Sequence, residues 1–144
     1  MADVVDKATR SRMMAGIRGK DTKPELVIRS ALHRRGLRFK LHDASLPGKP
    51  DLVFPKHQAV VLVHGCFWHA HDCRYFKWPK SNKAFWRKKI SGNRNRDNET
   101  TNGLIEMGWK VSMIWECQIK DAVRDARIEQ LMDMLTAKIK KRMR

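Results

Sequence analysis

The chain has 144 residues, enough for one domain that buries roughly 70% of its unfolded surface, so a core needs no disulfide staples. Its 42% hydrophobic content excludes a disordered chain, and no apolar run approaches the roughly 18 residues of a membrane-spanning helix. Lys and Arg number 31 against 15 Asp and Glu, a formal charge of +16, which points to a polyanion and to nucleic acid ahead of an anionic membrane surface.

The chain opens MADVVDKATR, which lacks the apolar stretch of a signal peptide, so a soluble cytoplasmic protein is expected. Residues 11–17 predict a short basic helix carrying Met13, Met14 and Ile17. A second helix is expected from near Thr22, because T-K-P-E has capping-box spacing and Pro24 suits a first turn. Leu26, Val27 and Leu32 give it an apolar face, and Gly36 stops it. Residues 37–41, LRFKL, alternate as a half-buried strand does. DASLPGKP is a loop, 51–54 a short strand, 55–58 a turn, and the apolar run 59–63 a central strand. An irregular loop then reaches about Ser81. Helix is expected over 83–107, with a break at Gly92 and an end at Gly108. Residues 109–115 form another strand. From Asp125 an amphipathic helix carries Ile128, Leu131, Leu135 and Ile139 on one face. The order indicates an α/β fold, a mixed sheet flanked by helices, in a single domain over 1–144.

The loop contains HGCFWHAHDC, residues 64–73, with two of the three cysteines and three of the six histidines. Without a secretion signal, disulfides are not expected. Cys66, Cys73 and the distant Cys117, with one histidine, would close a tetrahedral zinc shell and pin the loop to the sheet. The bland alternative is two incidental loop cysteines and a buried Cys117. Spacing does not choose between His69 and His71, and His64 is the weaker candidate at a strand end.

Asp51 opens one strand and the run ending at His64 closes the next, so a hairpin can set them side by side. A carboxylate and a neighbouring backbone carbonyl there suit Mg²⁺, and a nearby histidine could accept a proton from an attacking water. Asp51 could equally be a turn residue, Glu25 half of the capping box, and Asp97 an arginine partner on a solvated helix.

PGKPDLVF, VHGCFWHAHDC, FWRKKI and GWKVSMIWEC, together with the N-terminal DKATRSRMM, resemble the very short patch repair (Vsr) endonucleases over nearly the whole chain. The resemblance implies a restriction-endonuclease-like core and a Mg²⁺-dependent, strand-specific nick 5′ of the thymine in a T·G mismatch, the lesion left by deaminated 5-methylcytosine. It implies that Asp51 ligates Mg²⁺ with the Val63 carbonyl, that His69 is the general base oriented by Asp97, that Glu25 holds water at the metal, and that His64 supports the metal–phosphate end. Valine stands at 63 where threonine is familiar, and only its backbone oxygen is used. Structural Zn²⁺ would take Cys66, His71, Cys73 and Cys117. Phe67, Trp68 and Trp86 would enter the base stack, with Met14 of the basic segment 1–20 approaching from the other groove. Trp109 and Trp115 read as strand core. The implied state is a monomer acting on mismatched duplex DNA, with mismatch-repair proteins as companions and no membrane. Rival readings are a zinc-bearing DNA-binding module without catalysis and a restriction-type nuclease that cuts matched duplex.

Overall fold

The computed structural model describes residues 23–66, 71, 73 and 76–141; the expected helix over 11–17, with Met14, lies outside them. Helix α1 spans Lys23–Arg34, with Glu25 in its first turn and His33 and Arg34 in its last, as the macrodipole favours. Ile28, Ala31 and Leu32 form its buried stripe. Leu26 does not belong to it: two residues from Ile28 it points about 200° away and is 48% exposed. Gly36 ends the helix at φ +84°. Its N–H donates to the His33 carbonyl (3.0 Å), and the Leu37 N–H to that of Leu32 (3.2 Å), closing a Schellman motif.

Strand β1 is only Lys40–Leu41, shorter than the alternation suggested. Leu37 is buried and Phe39 packs edge-on against Phe54, so these side chains enter the core from irregular backbone. Strand β2 is Leu52–Phe54, a 3₁₀ turn covers Pro55–His57, and β3 is Ala59–His64. Helix α2, Lys83–Glu106, crosses over to β4, Lys110–Trp115. The sheet order is β1-β2-β3-β4, antiparallel for the first two pairings and parallel for β3 with β4.

Helix α2 runs through Gly92 without the expected break. A single glycine costs a helix about 1 kcal/mol relative to alanine, too little to interrupt 24 residues. Helix α3, Glu116–Arg124, was not expected. It follows β4 with no linker and no Ser, Thr, Asp or Asn cap. Instead the Trp115 N–H donates to the Gln118 Oε1 (2.7 Å), half of a capping box. The expected C-terminal helix starts later than Asp125, as α4, Ile128–Lys140, with Met132, Leu135 and Ile139 buried.

The two sheet faces carry unequal loads. On one, Leu52, Phe54, Ala59, Val61 and Ile114 meet the apolar stripes of α1, α3 and α4. On the other, Val53, Val60 and Leu104 of α2 form a small cluster with Leu46, Trp109 and Val111 packed against it. The loop before β2 docks on α2. Gly48 has φ +72°, a Cβ there would collide with the Thr100 side chain, and Pro47 sits beside Gly103. This docking fixes the segment that delivers Asp51. Among the described residues no helix is long and apolar enough to cross a membrane.

Candidate active site and metal centre

Two clusters of ligating side chains lie at one end of the sheet, where β3 and β4 finish and β2 begins. The first is built by register. Leu52 pairs with Val61 in antiparallel sense, which carries Asp51 opposite Leu62 and within reach of the next residue, Val63. The Val63 N–H donates to the Asp51 Oδ2 at 2.7 Å. On the other side Leu41 pairs with Leu52, so His42 falls opposite Asp51 and its N–H donates to the Asp51 carbonyl (3.2 Å). His42 takes φ +49°, which turns the chain out of the ladder.

Helix α1 completes the cluster. Glu25 is a first-turn residue, as a capping-box partner would be, yet it is only 1% exposed. Its Oε2 pairs with Arg29 one turn later (3.0 Å), and its Oε1 lies 3.3 Å from the His42 Nε2. Arg29 also donates to that Nε2 (3.0 Å). The Asp51 Oδ1 and His42 Nδ1 are 3.9 Å apart. One ligand atom from each of Glu25, His42 and Asp51 lies within 4.8 Å of the others. Burial pushes the Asp51 carboxyl up to about 7; the Val63 amide pulls it down, and the nearby Glu25 charge raises it. Two carboxylates in one buried place disfavour double ionisation, and a divalent cation reverses that logic.

The second cluster joins Cys66, His71, Cys73 and Cys117, whose ligand atoms all lie within 4.8 Å of one another. Cys66 follows β3, and Cys117 sits in the first turn of α3. The His71 N–H donates to the Cys66 carbonyl (3.0 Å), folding the loop back on itself. The Cys117 Sγ and His71 Nδ1 are 3.4 Å apart. Two such donors on one tetrahedral ion, with bonds of about 2.3 and 2.0–2.1 Å, stand about 3.6 Å apart. Burial pushes the Cys66 thiol up to about 12, and it raises the Cys117 thiol as well. These two thiols do not shed their protons readily, whereas a bound cation deprotonates a coordinating thiol outright. The soft donor set and its spacing fit a structural metal ion.

Trp115 packs between the second cluster and the end of β3. His71 stacks flat on its indole, with ring centroids 3.9 Å apart, and His64 meets it edge-on at 5.2 Å. The indole is therefore half-buried beside the site and not in the strand core. Trp109 packs on the smaller core cluster, as expected.

The family model for DNA mismatch endonuclease Vsr matches residues 2–75. The DNA mismatch endonuclease Vsr of Escherichia coli (strain K12) is 47% identical over 120 residues, covering 83% of this chain and 77% of that protein. The type II nicking enzyme V.XorIIP of Xanthomonas oryzae pv. oryzae is 42% identical over 134 residues, 92% of this chain and 98% of its own. The type II nicking enzyme V.NmeAIP of Neisseria meningitidis is 40% identical over 133 residues, 92% and 95% of the two chains. This chain belongs to the Vsr DNA mismatch endonuclease family.

Within this Vsr-family chain, the structure brings Asp51, Glu25 and the Val63 backbone together and sets buried His64 at the end of β3. The sequence reading named the Val63 carbonyl; the contact to Asp51 is made by the amide of the same residue. Asp97 is half-buried in α2. It stands seven residues after Ile90 and seven before Leu104, the two buried side chains of that helix, so it shares their inward line. Trp86 lies on the same line, one turn before Ile90, and is half-buried. Its neighbour Phe85 is the exposed ring at this end, 58% accessible and edge-on to it. Phe67, Trp68 and His69 lie outside the described residues. His42 and Arg29 were missed. The signal was present in the pairing of KL with LV, which sets the next histidine opposite Asp51.

Proposed function

We propose that this chain is a single-domain, restriction-endonuclease-like enzyme that nicks one strand of duplex DNA 5′ of the thymine in a T·G mismatch, with Mg²⁺ in the Asp51 cluster and structural Zn²⁺ in the Cys66 cluster. The observation that carries the reading is the convergence of Glu25 and Asp51 from distant parts of the chain, with the Asp51 carboxylate bonded to the backbone at the end of β3. Family membership supports it.

Asp51, with the Val63 backbone beside it, would hold Mg²⁺, and hard oxygen donors suit that ion. When bound, Mg²⁺ supplies charge stabilisation for the phosphoryl oxygens and a more acidic water. Glu25 binds water on the inner side of the cluster, fixed there by its ion pair with Arg29. His69 takes the proton from the attacking water, and Asp97, facing inward from α2, orients it. His64, held edge-on by Trp115, would support the metal–phosphate end of the site. Cys66, His71, Cys73 and Cys117 would hold Zn²⁺ and so anchor the loop that carries His69. Phe67, Trp68 and Trp86, with Met14, open the stack at the mismatch, where unstacking costs least. The +16 charge binds any duplex, so discrimination falls to the wedge. The setting would be the bacterial cytoplasm, as a monomer, with mismatch-repair proteins as companions.

The test incubates paired oligonucleotides, T·G and C·G in several contexts, with protein and Mg²⁺. A nick confined to the thymine strand of T·G supports the reading. Binding without a nick would mean a non-catalytic module, and double-strand cleavage of C·G a restriction-type nuclease.

A further inference from the structure

We propose that His42 is a further ligand of the divalent ion at Asp51, through Nδ1, and that it tunes the site toward transition-metal ions such as Mn²⁺ relative to Mg²⁺. The inference rests on Asp51 being a metal ligand and adds a nitrogen donor to it.

The geometry has three parts. The Asp51 Oδ1 and His42 Nδ1 are 3.9 Å apart. That is too far for a hydrogen bond. Two ligands on an ion with bonds of about 2.1 Å stand about 3.0 Å apart when adjacent and about 4.2 Å when opposite. The 3.9 Å gap falls between these spans, wide enough to admit a coordinated cation after a small adjustment and too wide for a direct hydrogen bond. At the other ring nitrogen, the Glu25 Oε1 lies 3.3 Å from Nε2 while the same carboxyl group also reaches Asp51. A metal-ligating histidine characteristically gives its other N–H to a carboxylate, which fixes the ring and strengthens the donor. Glu25, His42 and Asp51 supply that arrangement from three separate elements.

Arg29 offers the ring a second partnership. It donates to the His42 Nε2 at 3.0 Å, and a guanidinium can only donate, so in that contact the lone pair is at Nε2 and the hydrogen at Nδ1. With a cation at Nδ1 the hydrogen sits on Nε2 and turns to Glu25. Arg29 then keeps its 3.0 Å ion pair with the other Glu25 oxygen. The two tautomers are alternative partnerships of one ring, and the ion selects between them.

An imidazole nitrogen favours transition metals over Mg²⁺, which prefers oxygen. The consequence is a site that binds Mn²⁺ more tightly than an all-oxygen site of the same charge. His42→Gln replaces the nitrogen with an amide of similar reach.

The experiment loads full-length protein with Mn²⁺, after its thiolate cluster has been filled with Zn²⁺, and records electron-spin-echo modulation. The expected spectrum shows ¹⁴N coupling that His42→Gln removes. Mn²⁺ affinity should fall about 10-fold or more in the variant, with Mg²⁺ affinity changed far less. Wild-type protein without ¹⁴N coupling overturns the proposal and needs no variant. Coupling that persists in His42→Gln also overturns it, because another histidine is then the ligand. Asp51→Asn separates the underlying reading: if it binds Mn²⁺ as wild type does, Asp51 is not a ligand, whatever His42 does.

Discussion

The indole of Trp115 lies parallel to the imidazole of His71, with 8° between the ring planes. The stack holds His71 with its Nδ1 toward the Cys117 Sγ. Aromatic pairs of this kind contribute about 0.5–1.5 kcal/mol beyond buried area. Trp115→Ala should therefore speed Zn²⁺ loss to a chelator about 2- to 10-fold, while Trp115→Phe keeps most of the stack. Unchanged release from the alanine variant would show that the indole does not orient His71.

Asp51→Asn should abolish nicking and leave DNA binding largely intact. On the proposed reading the change removes a metal ligand and no phosphate-contacting cation. Cleavage and gel-shift assays on one T·G duplex read both properties, and near-normal cleavage would remove Asp51 from the chemistry.

The same carboxyl predicts a pH dependence without added Mg²⁺. Its folded value is raised, mainly by burial, to about 7 from an ordinary 3.8. The folded state thus holds a proton that the unfolded chain has released. Stability from this group is full below about pH 4 and is lost as pH rises through about 7. At about 1.4 kcal/mol per unit, the loss is a few kcal/mol at most. Urea midpoints at pH 5 and 7.5 should show the decline, Mg²⁺ at pH 7.5 should reverse it, and Asp51→Asn should flatten it.

Cys73→Ser should release Zn²⁺ and loosen the loop that carries His69, since structural metal binding is folding free energy. Metal analysis and circular dichroism check the claim. A folded, active, zinc-free serine variant would sink it.

Gly48→Ala combines a strained φ of +72° with a collision against Thr100. The expected loss is about 1–3 kcal/mol in chemical unfolding. Thr100→Ala in the same chain should recover part of it, leaving the backbone strain. Nicking should fall too, because this loop delivers Asp51.

What the sequence revealed follows physical lines. Residues 59–63 were legible as a central strand because both of its faces are buried, leaving an unbroken apolar run. The four thiol and imidazole ligands share a chemistry that spacing exposes, although choosing His71 over His69 required the family resemblance. Helix α3 was hidden because its cap is a glutamine reaching back to a tryptophan, and its nine residues hold only three buried side chains. His42 was hidden because its meaning depends on a two-residue ladder that sets it across from Asp51. The Gly92 break was over-read from one residue's propensity.

Cys66 leaves β3 and Cys117 enters α3, so an ion shared by them ties a ring of roughly fifty residues that contains all of α2 and β4. Helix α2 has only Ile90 and Leu104 fully buried along its length. Apolar packing alone therefore gives this helix little cooperative stability, whereas β4 in the same ring is laddered to β3 and sends Ile114 into the larger core. With an ion as the ring's clasp, its removal should free α2 in advance of the three helices packed on the opposite sheet face. Slow-exchanging amides would then persist in α1 and α4 while those of α2 exchange. The unit that opens carries Asp97 and the α2 lysines and arginines, so one metal clasp would govern the register of the catalytic loop and the grip on the DNA backbone together.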